Sequence, residues 1–225
     1  MSVKLGMGIA RDALHVRSGW ILSAFLAFGA VLAGVLQRVS GPAYAADRAL
    51  VGATFGAAVP VFCYVAFGIV HRRAPTAALL DPFARHGADR RLLALGLFVA
   101  LGIAAAVLAA FLGIVTVLAA RLPSDPELAR DLFACSWSGA SIGAAYVGLF
   151  AVGSMWGQNG RLVLLFADFI FGSGSGVLAL PFPRGHARNL LGGEPVLGMS
   201  QSSALLLLWL FAVLGVGLFA RRVPR

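Results

Sequence analysis

Apolar residues in this chain come in long runs rather than in alternation. Residues 92–120 carry no charged side chain, and five further runs almost as apolar are spaced along the sequence. A helix needs about 20 mostly apolar residues, at about 1.5 Å each, to cross about 30 Å of hydrocarbon. Six segments reach that length: residues 19–37, 50–70, 93–119, 133–156, 162–180 and 202–220. Strands of a spanning barrel would alternate apolar and polar positions, which the run over residues 101–111 does not do. The pattern predicts an all-α polytopic membrane protein with six transmembrane helices.

Ahead of the first run, Val3, Leu5, Met7, Ile9, Leu14 and Val16 interleave with Lys4, Arg11, Asp12, His15 and Arg17. Residues 1–18 therefore read as an N-terminal amphipathic interfacial helix in the headgroup layer, with Trp20 as an anchor immediately after it. Between the second and third runs, residues 71–91 contain Pro75 and Pro82, which interrupt any continuous helix. Thr76 or Asp81 can start a short helix there, and Asp89 can cap the next one. Pro60, inside the second run, predicts a kink. Residues 181–199 mix apolar residues with Pro and Gly, so this connection either dips back against the bundle or projects into water.

Of the 225 residues 60% are hydrophobic, and six spans use more than half of the chain, which leaves no room for a separate soluble domain. The formal charge of +9 invites a nucleic-acid reading, but the arginines sit at the ends of the runs rather than on one folded face. The basicity is a topological signal instead. One set of connections holds Lys4, Arg11, Arg17, Arg72, Arg73, Arg85, Arg90, Arg91, Arg161, Arg221, Arg222 and Arg225. The other holds Arg38, Arg48, Arg121, Arg130, Arg184 and Arg188, diluted by Asp47, Asp125, Glu127, Asp131 and Glu194. The first set is expected in the cytoplasm, with both termini, and the source membrane is expected to be a bacterial inner membrane. Ala43-Tyr44-Ala45 resembles a signal-peptidase site, but the run before it exceeds the about 7–15 residues of a signal peptide's apolar core. Cys63 and Cys135 lie within runs, where packed thiols are expected.

Asp168 is the one acid inside a run, and a carboxylate at membrane depth is expensive. Arg161 lies two turns away, so Asp168 reads as half of an ion pair or polar contact, with a proton or ion relay as the alternative. Gly139 with Gly143, and Gly172 with Gly176, have the spacing that lets helices approach closely, whether in ordinary packing or along a conduit. Ser173 and Ser175 lack the Gly-x-Ser-Gly spacing of intramembrane serine proteases, and no histidine falls in the last run to act as base. His15, His71, His86 and His186 show no metal-ligand spacing. Lys4 is the sole lysine, so the chain has no phosphate-binding loop and binds no ATP through one.

The layout resembles the type-2 permeases of ATP-binding-cassette (ABC) transporters along nearly the whole chain. Residues 75–91 are similar to the family segment in which a Gly-Thr and a leucine run lead to a turn and the third span. Residues 146–161, with Gly153-Ser154 and Gly157, resemble its fourth-to-fifth connection, and the leucine-rich last run ending at Arg221 and Arg222 is also similar. Arg72, Arg73 and Pro75-Thr76 stand where members often carry acidic residues and Gly-Thr. The resemblance implies that residues 1–225 form a single permease domain working as a homo- or heterodimer with a second permease chain. Separate ABC ATPase subunits would carry ATP and Mg, and this chain would bind no cofactor. It also implies a coupling helix that docks the ATPase through Asp81, Arg85, His86, Asp89, Arg90 and Arg91. The residues themselves leave two other classes open: a non-transporting anchor or regulatory subunit, and an intramembrane enzyme using Asp168 or Ser175. No constellation selects the substrate.

Overall fold

The computed structural model describes the chain except residues 16, 42–43, 72–75, 123–124, 126, 158 and 224–225 and the side chain of residue 77. The expectations resting on Val16, Ala43, Arg72, Arg73, Pro75 and Arg225 lie outside the described residues. The fold is about 85% helical, and no strand occurs among the described residues. Five helices are long and apolar enough to cross a membrane: Arg17–Ser40, Ala45–His71, Arg90–Ala120, Leu128–Trp156 and Gln201–Arg222. This is the build of an integral membrane protein.

In chain order the elements are α1 (Ser2–Leu14), α2 (Arg17–Ser40), α3 (Ala45–Ala49), a π-wound stretch Leu50–Ala58 that continues into α4 (Val59–His71), and α5 (Thr76–Ala84). They continue with α6 (Arg90–Ala120), α7 (Leu128–Gly153), α8 (Gly160–Phe171), α9 (Pro183–Leu190) and α10 (Gln201–Arg222). The irregularity expected from Pro60 takes the form of π-winding just upstream, where Val59 N–H donates to the Thr54 carbonyl five residues back. Thr54 and Thr116 share a buried hydroxyl bond of 2.6 Å that pins this stretch to α6.

α7 is the hub. Of its most apolar 18-residue window 72% is buried, against 22% for α2 at the periphery. It packs on α6 through Gly139 and Gly143, where an added Cβ would stand 2.9 Å from the Ala109 carbonyl and 2.5 Å from that of Ala105. It packs on α10 at Gly148 and Gly215, where the two backbones touch. Absence of a side chain is what permits these approaches, and dispersion between closely set backbones replaces a hydrophobic force that lipid does not supply.

α1 is helical as expected, but a face of small residues, Gly6, Ala10 and Ala13, is buried, and the helix is docked on the first turns of α6. Gly6 rests on Leu93 and Gly96 on Val3. The helix expected over residues 162–180 does not form as one element. α8 stops at Phe171, after 12 residues or about 18 Å, and Gly172-Ser-Gly-Ser-Gly176 continues the chain as turns and bends. Glycine loses the most entropy in a helix, and serine competes for its hydrogen bonds. Ser173 Oγ donates to the Phe169 and Ile170 carbonyls at 3.1 Å, covering acceptors at the helix end.

Three contacts fix the direction of residues 160–200 through the bundle. The start of α8 stands beside the end of α4, with Arg161 Nη1 3.5 Å from the His71 ring. The end of α10 meets the start of α6 through the Phe98 and Phe219 rings, 4.7 Å apart. α9 packs on the π-wound stretch and the start of α10. The segment therefore runs from the end of the bundle that bears α5 to the opposite end, but as two helices with a break between them.

Candidate functional site

The break between α8 and α9 gathers the polar groups of the bundle interior. Asp168, in the last turn of α8, is fully buried. Its Oδ2 accepts from the Tyr146 hydroxyl of α7 at 2.9 Å, and its Oδ1 accepts from the Arg184 N–H in the first turn of α9 at 3.2 Å. A carboxylate at a helix N-terminus satisfies an orphan donor and meets the positive end of the helix dipole. Asp168 thus joins two half-helices end to end. The contact differs from the expected pairing with Arg161, whose guanidinium lies 5.7 Å from the Phe67 ring centroid, beside His71.

Arg184 and Arg188 are one turn apart on α9. The Arg184 guanidinium stacks over Phe169 at 4.4 Å, and its Nη1 is buried without a hydrogen-bond partner. Arg188 donates to three carbonyls: Glu194 at 3.1 Å, Gly174 at 2.8 Å and Ser173. It thereby binds the broken stretch to the far side of α9. His186 is fully buried; its Nε2–H donates to the Leu180 carbonyl at 2.9 Å. Leu197 N–H donates to the Ser175 carbonyl at 2.9 Å, so residues 172–200 form one cross-tied unit that dips back against the bundle. A cavity of about 180 Å³ remains beside it, lined by Val51, Gly52, Gly56, Gly172, Arg184 and Arg188 among others.

The glycine pairs separate here. Gly139 and Gly143 pack helix on helix. Gly172 and Gly176 do not, because they lie outside any helix: a Cβ on Gly172 would stand 3.0 Å from Asp168 Oδ1, and one on Gly176 would meet nothing within 4 Å. Tyr146, expected in the connection between two spans, instead lies well inside α7. That connection is the tight turn around Gly153, Gly157 and Gly160. The sequence pattern assigns no part in such a junction to Tyr146, Arg184, Arg188 or His186. The available signal is a tyrosine three residues beyond Gly143 and two arginines four apart after a glycine-serine run.

At the α5 end, the residues expected to form a docking face divide by role. Asp89 caps α6, its Oδ1 accepting from Arg91 N–H at 2.8 Å and Leu92 N–H at 3.3 Å. Asp81 pairs with Arg90 at 2.7 Å, and Arg90 and Arg91 are partly buried. Arg85 and His86 remain exposed, on the turn that Gly87 closes at φ +86°. The start of α5 is fastened to α4. His71 Nδ1–H donates to the Phe67 carbonyl at 2.8 Å, which leaves Nε2 to accept from Thr76 Oγ1–H at 2.8 Å. Comparison with protein-family models, curated proteins and solved structures finds no match to this chain.

Proposed function

We propose that the chain is the permease subunit of an ATP-driven transporter, an exporter that works as a pair of permease chains with separate ATPase subunits. In this reading the α5 end faces the cytoplasm, because it carries the denser set of arginines. Both termini then lie inside a bacterial inner membrane, α8 and α9 together make the sixth crossing, and α1 lies along the inner headgroup layer. Broken helices that meet at mid-membrane are a recurring device of transport proteins, since their ends offer charges and backbone groups that an unbroken span hides.

The observation that carries the reading is the tether from α5 to α8. Thr76 bonds to His71, and Arg161, at the start of α8, stands against the same turn of α4. A push on α5 by a docked ATPase is thereby delivered to a helix that ends inside the bundle at Asp168, rather than to a continuous span. An anchoring subunit would use the same exposed Arg85 and His86 but has no need of a helix that stops halfway.

The test is purification in mild detergent of the chain co-expressed with the ABC ATPase encoded beside it. The wild type is expected to bring the ATPase along. Arg85→Glu combined with His86→Glu is expected to lose it while inserting normally, because neither side chain holds the fold. A wild-type chain that purifies without an ATPase, or a double variant that retains it in full, removes the proposal.

A further inference from the structure

α1 and α2 both lie on α6, but at different heights. α1 crosses it at Gly96, whereas α2 reaches it at Gly34, whose missing Cβ would stand 2.9 Å from that of Ala119. About 30 Å of α6 separates the two crossings, so the three helices enclose a triangle with the elbow between α1 and α2 at one corner. Its floor is α6, in positions that recur on one helical face (Ala100, Ala104, Val107, Leu108 and Phe111), with Phe62 of α4 behind them. The open volume is about 880 Å³, within the size range of ligand sites.

One edge of this trough is cationic. Lys4, Arg11 and His15 share the face of α1 that turns into it, and Trp20 stands at the elbow, its ring 6.2 Å from that of His15. Lys4 has no acidic partner among the described residues. Arg11 has Asp12 at 3.3 Å, a pair more than two-thirds exposed on both sides and therefore weak. The opposite end of the trough, around Phe111, is apolar. Cations and an interface tryptophan at one end and a hydrocarbon-lined floor at the other repeat the polarity of an anionic phospholipid.

A second copy of this chain is a poorer occupant. It would have to bring acidic groups to this edge, in a sequence with 18 basic and 9 acidic residues whose sole acid before Asp47 is Asp12.

We infer that the α1–α2–α6 trough is a binding site for an anionic phospholipid, its phosphate held by Lys4, Arg11 and His15 and an acyl chain lying on the α6 floor. This holds whether or not the chain is a transport subunit. The test is native mass spectrometry of the full chain, stripped of lipid in detergent and titrated with phosphatidylglycerol or phosphatidylcholine. Phosphatidylglycerol is expected to bind more tightly. Lys4→Gln and Arg11→Gln, both at exposed positions, are each expected to weaken it by about fivefold and to leave phosphatidylcholine unchanged. Ala104→Trp, which fills the floor, is expected to reduce both lipids. Equal binding of the two lipids with no response to Lys4→Gln or Arg11→Gln overturns the inference. So does efficient cross-linking in membranes between two copies that carry Val107→Cys, which would make the trough a subunit seam.

Discussion

Two glycine-rich regions of this bundle do opposite things. Along α7, Gly139 and Gly143 stay helical and bring α6 into backbone contact at Ala109 and Ala105. Between α8 and α9, Gly172, Gly174 and Gly176 end the helix and open a polar junction. Both regions sit in apolar surroundings and both repeat glycine at a spacing of four. The difference lies in the residues between. In α7 the intervening Ala140, Ser141 and Ile142 are ordinary helix residues, and a neighbouring helix fills the space. In the second region a third glycine and two serines intervene, removing propensity where no neighbour restores it. Glycine spacing alone does not define a packing motif; it has to lie on a helix that survives.

Substitution breaks this contrast most forcefully in the seam. Gly143→Leu must push the Ala105 backbone away, and overpacking at such a crossing costs about 3 kcal/mol or more. Thermal unfolding in detergent is expected to show a large fall in Tm or loss of the folded peak on size exclusion; an unchanged Tm would discard the close crossing. Next comes the junction. Asp168→Leu strands the Tyr146 hydroxyl and the Arg184 N–H, a loss of about 2 kcal/mol, whereas Asp168→Asn keeps an acceptor and is expected to recover part of it. Faster amide exchange at the start of α9 in the leucine variant, and slower exchange in the asparagine variant, are the signatures. The smallest effect is expected at Gly176, where a methyl group meets nothing within 4 Å and φ is −82°. Gly176→Ala should change Tm by no more than an exposed substitution does, about 0.5 kcal/mol. A loss as large as that of Gly143→Leu would show that Gly176 packs after all.

Much of the architecture is legible in the chain. Five apolar runs become long helices, Asp89 caps α6, and a short helix forms between Thr76 and Ala84. Local chemistry suffices for these, since run length, capping side chains and proline act within a few residues. The fifth run fails because hydropathy averages over glycine and serine as nearly neutral and does not register that five of them in a row stop a helix. Asp168 stands out in the sequence as exceptional, but its partners lie 22 residues before it and 16 after it. Arg161 is nearer in sequence, and folding carries it to His71. Arg90 and Asp81 likewise lose their freedom to each other once α5 turns back on α6.

The docking of α1 bears on the order in which the protein is assembled. Ser2 Oγ accepts from Asp89 N–H across 87 residues, and Gly6 rests on Leu93. The first helix to leave the ribosome therefore waits for three later helices before its seat has been synthesised. Until then its small-residue face has nothing to grip, and the N-terminal segment is held by the bilayer surface alone.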